Sequence, residues 1–227
     1  MVYSPDFFKQ FPIFSNLTEY ELQEVAEISN HREFKKGTNI FLEGEARKAV
    51  YFIVSGLVKV YKVSEDGQEQ IISLLHSDEM FPHVGFFDDT PNPATALAIT
   101  DVQAISIPIE DFDALMFRKP EITVKVMKVI GKKLLELQDR IQSITTKDVF
   151  SRIVGAIVRF SKELGEQQED GSVLIRMPIT NSDLASMIGV TRESVNRSLN
   201  RLKKEGIIEH SRKEIRILDE EKLLDYM

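Results

Sequence analysis

In the stretch TRESVNRSLNRLKKEGII, Thr191 to Ile208, four side chains have the chemistry to recognise the edges of nucleic-acid bases. Read as a helix, it places Val195, Leu199 and Leu202 on one side and Arg192, Glu193, Asn196 and Arg197 on the other. A guanidinium can donate two hydrogen bonds to guanine O6 and N7. A carboxylate accepts one from cytosine N4, and a carboxamide pairs with adenine. All four sit in the first two turns, the part of a helix that can enter a major groove. An acidic residue facing a polyanion is unfavourable on charge alone, so Glu193 between arginines points to base reading rather than phosphate attraction. The competing reading is an ordinary solvated helix face, which gives no reason for that order of charges.

Such a helix must be held at a fixed angle, and the preceding residues have the spacing for it. In TNSDLASMIGVTRESVNRSLNRL the small Ala185 stands where two helices cross, Gly189 supplies the turn four residues later, and Val195 anchors the second helix. Leu184, Ile188, Val190, Leu199 and Leu202 complete a shared core. Thr180 or Asn181 is suited to cap the first helix and Thr191 the second. This is helix-turn-helix spacing, and a hairpin over Ile207 to Leu218 follows it. Thr180, Ser182, Thr191, Ser194, Ser211 and Lys213 are placed for backbone phosphates.

Double-stranded DNA is therefore the expected partner, and the overall charge has to be reconciled with it. The chain carries −7, but Thr191 to Arg216 holds eight Lys/Arg against four Glu. A local basic patch acts over about a Debye length of ~8–10 Å, whatever the charge elsewhere. With 227 residues, 42% of them hydrophobic and 29% charged, the chain has room for two ordinary globular domains. No apolar run reaches the roughly 18 residues of a membrane span, and the N-terminus lacks the pattern of a signal peptide. A cytoplasmic protein with no membrane partner is expected. The absence of cysteine excludes disulfides, thiolate zinc sites and Cys-ligated iron–sulfur clusters.

The rest of the chain divides by periodicity. The first thirty residues read as helical, with Thr18 capping ahead of Glu21. From Arg32 to about Ile109 the period is two, in short apolar runs between turn residues, as in a sandwich or barrel, with a hairpin at Asp66-Gly67. After Pro120 a helical stripe of Val126, Ile130, Leu134, Leu137, Ile141 and Ile144 runs for almost thirty residues. Such a stripe suits a seam between two helices, and a homodimer through it is favoured over packing on the chain's own β-domain. A further amphipathic helix runs to Gly165, a candidate C-cap, and EQQEDGS reads as a polar loop.

FKKGTNIFLEGE, VYFIVSGLVKVY, DGQEQIISLL and, most specifically, TRESVNRSL resemble the Crp/Fnr family of bacterial transcription regulators over nearly all of residues 10–218. The resemblance implies an α+β fold: an N-terminal β-roll (double-stranded β-helix or jelly roll) over 1–118, a long dimerisation helix over 119–146 and a C-terminal winged helix-turn-helix over 147–227. It implies that Arg192, Glu193 and Arg197 contact a TGTGA-like half-site, with Asn196 modifying the preference. It also implies a homodimer on a palindrome, half-sites about one helical turn (~34 Å) apart, and activation through RNA polymerase. A repressor built on the same parts would look identical.

The family's cyclic-AMP cassette, roughly Gly-Glu-(Leu/Ile) followed by Arg-(Ser/Thr), is broken here. Pro82, His83 and Val84 replace its first part, Pro93 and Ala94 its second, and no Lys or Arg occurs between Leu75 and Asp111. A buried phosphate without a cation is costly, so these five residues read as a degenerate effector pocket. Haem would need an axial histidine, for which His76 or His83 is available. No cofactor is expected, and an unidentified small effector or none at all both stay open. The rival from another class is a cupin-like metal enzyme. His31, His76, His83 and His210 are scattered with no His-x-His pair, and no catalytic motif occurs, so neither a metal nor an enzyme is expected.

Overall fold

The computed structural model describes residues 3–86, 90–211 and 214–227. It contains two compact units, Met1–Val63 with Ile72–Glu136 and Ser64–Ile71 with Leu137–Met227.

The first unit begins with a 3-10 helix, Pro5–Gln10, and α1, Glu19–Glu27. The expected cap on α1 is present in both directions: the Thr18 side chain accepts from the Glu21 N–H and the Glu21 carboxylate accepts from the Thr18 N–H. Eight strands follow in the chain, β5 beginning within the short segment that belongs to the second unit: β1 Asn30–Phe34, β2 Asn39–Phe41, β3 Ala49–Ser55, β4 Val58–Val63, β5 Glu69–Leu75, β6 Met80–Phe81, β7 Thr95–Ala98 and β8 Val102–Pro108. They form two four-stranded sheets, ordered β1-β8-β3-β6 and β2-β7-β4-β5. The β4–β5 connection turns at Gly67, whose φ of 75° explains the glycine after Asp66.

Strand alternation assigns the two faces of the first sheet to different cores. Val102 and Ala104 of β8 and Ile53 of β3 pack with Val58, Leu75, Phe81, Ala96 and Ala98, inside the roll. Ile105 and Ile107 of β8 and Val50 and Phe52 of β3 pack outward against Phe8, Phe11, Phe14, Leu22 and Val25 of the N-terminal helical segment. Two helices close this outer core: α2, Ile109–Arg118, and the start of α3, Pro120–Thr146. The period-two reading stopped at Ile109 without singling out α2, which buries Phe112, Leu115 and Met116.

Helix α3 requires one correction to the expected seam. Val126 is 3% exposed and sits in the core of its own unit with Ile122 and Phe112, so it cannot belong to an intermolecular stripe. Its neighbour Met127 is 66% exposed. Met127, Ile130, Leu134, Leu137, Ile141 and Ile144 are all exposed at intervals of 3, 4, 3, 4 and 3, a stricter a/d pattern than the sequence reading chose.

The second unit contains α4, Val149–Leu164, capped by Asp148, then β9 Gly165–Gln167 and β10 Val173–Arg176. Next come α5 Asn181–Ile188, α6 Arg192–Lys204, β11 Ile208–His210, β12 Glu214–Ile217 and α7 Glu220–Leu224. The strands form one sheet ordered β11-β12-β10-β9. EQQEDGS is therefore not wholly loop, because Glu166 and Gln167 pair with β10. Gly165 does end α4, but with φ −74° rather than in the left-handed region. A Cβ there would stand 2.1 Å from the Ser161 carbonyl oxygen, so close approach is what selects glycine.

The reassignment of Val126 can be checked by stability. Val126→Ala should lower the urea-unfolding free energy by roughly 2 kcal/mol, by the same amount at every protein concentration. A loss that grows on dilution would return Val126 to an intermolecular contact.

Candidate functional site

The turn between α5 and α6 is built from the residues that the spacing singled out. Thr180, not Asn181, caps α5: its hydroxyl accepts from the Asp183 N–H at 3.1 Å and donates to the Asp183 carboxylate at 2.7 Å. Gly189 follows α5 in the left-handed region, φ 76° and ψ 44°, and the N–H groups of Gly189 and Val190 both donate to the Ala185 carbonyl. Thr191 then caps α6 by accepting from the Ser194 N–H at 3.2 Å. Val195, Leu199 and Leu202 are buried to 1% exposure or less, and Leu184 and Ile188 of the adjoining α5 are buried as well.

Burying that face leaves the other outside. Arg192, Glu193 and Arg197 are exposed at the start of α6, as expected. Asn196 is half-buried, and its side-chain oxygen accepts a hydrogen bond from the Asn181 amide, so only part of its hydrogen-bonding capacity faces outward. Ser182 and Ser211 are exposed and Ser194 is half-buried. The Thr180 and Thr191 hydroxyls already serve as caps, and Thr191 also exchanges a hydrogen bond with the Ser194 hydroxyl at 3.0 Å. Lys213 lies outside the described residues.

Several positioning groups escaped the sequence reading because their partners are distant in the chain. Arg140 donates to the Met187 carbonyl, and Arg152 donates to the Gly189 carbonyl at 3.1 Å. Both place positive charge at the carbonyl end of α5, where it is favourable. The Ser186 hydroxyl donates to the Glu69 carbonyl at 2.7 Å and accepts from the Ile71 N–H at 3.0 Å. At the far end of α6, the Arg201 guanidinium lies 4.1 Å from the Phe150 ring centroid and 5.1 Å from that of Tyr226. Glu205 accepts from both Arg201 and the Tyr226 hydroxyl. Arg201 thus holds the helix in place, whereas Arg192 and Arg197 face outward.

The five residues of the altered cassette differ in burial. Pro82 and Ala94 are buried, while Val84 and Pro93 are exposed. A cation does reach this stretch, from outside the interval that the sequence reading searched. Arg47 donates to the Val84 carbonyl at 3.0 Å and the Thr90 carbonyl at 2.5 Å, and a Cβ on Gly85 would overlap its guanidinium. Inside the roll, Tyr51 and Phe81 stack at 5.3 Å between centroids, with Phe41 within 6.2 Å of both. Among the described residues no group of His, Asp and Glu is arranged to hold a metal ion.

His83 is partly buried, and burial, reinforced by the Lys133 charge, lowers its pKa to about 4 against the pull of Glu79 and Glu136. The fold therefore favours neutral imidazole. Its contribution is complete above the unfolded value near 6.5 and is lost as the pH falls towards 4. Unfolding free energy should drop over that window by at most about 3 kcal/mol more in the parent chain than in His83→Leu. Parallel pH profiles from urea titrations would contradict this.

Residues 31–119 match the cyclic nucleotide-binding domain and residues 151–226 the Crp-like helix-turn-helix domain. The chain is 28% identical over 191 residues to the CRP-like cAMP-activated global transcriptional regulator of Mycobacterium tuberculosis, covering 84% of this chain and 85% of that one. It is 28% identical over 199 residues to the anaerobic regulatory protein of Bacillus subtilis, covering 87% and 83%. A CRP/FNR-family transcriptional regulator from Thermus thermophilus superposes with a TM-score of 0.71 at 26% identity, over 87% of this chain and 97% of that one. FixK2 from Bradyrhizobium japonicum gives 0.77 at 20% identity over 88% and 97%, a likeness of fold alone. With its two domains in the family's order, its DNA-binding helix-turn-helix and relatives along most of its length, the chain belongs to the Crp/Fnr family of transcription regulators.

Proposed function

We propose that two copies of this chain bind a palindromic, TGTGA-like DNA site and activate transcription from it by contact with RNA polymerase. Arg192, Glu193 and Arg197 read base edges, with a contribution from Asn196, while Ser182, Ser194 and Ser211 line the phosphate backbone beside the capping hydroxyls of Thr180 and Thr191. Lys213 is assigned to the same backbone on sequence grounds. The observation that carries this reading is the outward face of α6: guanidinium and carboxylate groups project from its first two turns while its apolar face is buried. A homodimer is supported by Met127, Ile130, Leu134, Leu137, Ile141 and Ile144 of α3, six exposed apolar residues that repeat at heptad spacing.

In this reading the roll has lost the family's cyclic-nucleotide site. The carboxylate position of the cassette is His83, and aromatic rings occupy the roll interior. Two observations favour the opposite reading, in which a cyclic nucleotide still binds. Arg47 brings a guanidinium to the cassette stretch, and the M. tuberculosis relative is described as cAMP-activated. Yet Arg47 is already engaged by the Val84 and Thr90 carbonyls, which weakens it as a phosphate ligand.

Arg197→Ala should cost roughly 1–3 kcal/mol on the preferred duplex and relax selectivity at one base pair per half-site. A competition assay in which all sequences weaken equally would reassign Arg197 to the phosphates. Leu134→Glu combined with Leu137→Glu should give a monomer in sedimentation, with DNA affinity reduced at least tenfold. A double variant that still sediments as a dimer would move the interface off α3.

A further inference from the structure

The first unit contains a cavity of about 260 Å³ outside the roll. Phe52 and Met80 from the sheet, Phe11, Pro12 and Ile13 from the segment before α1, and Val129 from α3 supply its apolar walls. It is not the interior of the roll. Phe52 belongs to the outer core, and the next residue, Ile53, faces inward. The cavity is slightly smaller than the roughly 300–1,000 Å³ of sites for drug-sized ligands, so it suits a molecule of one or two rings.

Its polar rim is centred on an ion pair. The Lys133 ammonium pairs with Glu79 at 2.9 Å and Glu136 at 3.2 Å. Glu79 also accepts from the His76 N–H at 3.0 Å. The lining holds two lysines, Lys132 and Lys133, and two carboxylates, Asp78 and Glu79, so its formal charges cancel, with Lys133 and Glu79 paired to each other. A charged ligand would have to break these pairs, whereas a neutral one leaves them intact. The His83 imidazole lines the same cavity and takes no part in these ion pairs. A neutral imidazole offers one donor and one acceptor there.

We propose that this cavity binds a small, uncharged aromatic molecule carrying one hydrogen-bonding group, with its rings against Phe11, Phe52, Met80 and Val129 and that group on His83. The site involves neither the recognition helix nor DNA, so its failure and that of the DNA-binding reading are separable.

The chain has no tryptophan, so the fluorescence of added indole reports on the probe. Titrating indole, and separately 4-methylphenol, into the purified full chain without DNA should give saturable one-to-one binding. In His83→Leu both probes should bind about tenfold more weakly, the weight of one hydrogen bond. 1-Methylindole, which lacks the N–H, should lose about as much on the parent chain and nothing further on His83→Leu. Val129→Trp, which fills the cavity, should abolish binding. If that variant does not fold, the His83→Leu and 1-methylindole pair still decides. No saturable binding of either probe overturns the proposal, as does indole affinity unchanged by His83→Leu.

Discussion

The structure turns on the left-handed backbone at Gly189. One residue in that conformation, with two N–H groups converging on the Ala185 carbonyl, sets where α6 begins relative to α5. Each residue of an α-helix advances about 100° around the axis, so the starting point decides which side chains face the core. With Thr191 as cap, Val195, Leu199 and Leu202 turn inward and Arg192, Glu193 and Arg197 outward. Starting one residue later would carry the apolar face away from Leu184 and Ile188. The outward face of α6 is thus the complement of a packing solution, and Arg140, Arg152 and Arg201 hold the elements on which that solution depends.

A similar economy operates in the first unit, where one sheet separates two cores. Alternation along β3 and β8 sends Ile53, Val102 and Ala104 into the roll, and Phe52, Ile105 and Ile107 towards the N-terminal helices. In the roll, aromatic rings from β2, β3 and β6 stack on one another. On the outer face, packing between the N-terminal segment and α3 leaves the space beside His83.

Local chemistry was legible in the sequence. The Thr18–Glu21 box, the Asp66-Gly67 hairpin, the period-two strands and the helix-turn-helix with its caps all depend on residues close in the chain. Contacts across long separations were not. Nothing in the interval from Leu75 to Asp111 announces that Arg47 reaches Val84, and nothing around Arg140 announces Met187. On α3 the apolar stripe was legible from Ile130 to Ile144 but its first member was not, because Val126 and Met127 are adjacent and apolar, and only the fold shows which one is covered. At Gly165 the residue was right for another reason, a carbonyl 2.1 Å from where a Cβ would stand.

The central claim is that the outward face of α6 reads bases from the major groove. Its most direct test is methylation interference on duplexes selected by the full chain from a random pool. Methyl groups at guanine N7 block the major-groove acceptor that a guanidinium uses and leave the phosphates untouched. The account predicts an enriched two-fold symmetric motif in which N7 methylation of a guanine in each half abolishes binding. An unenriched pool, or interference confined to adenine N3 in the minor groove, would contradict it.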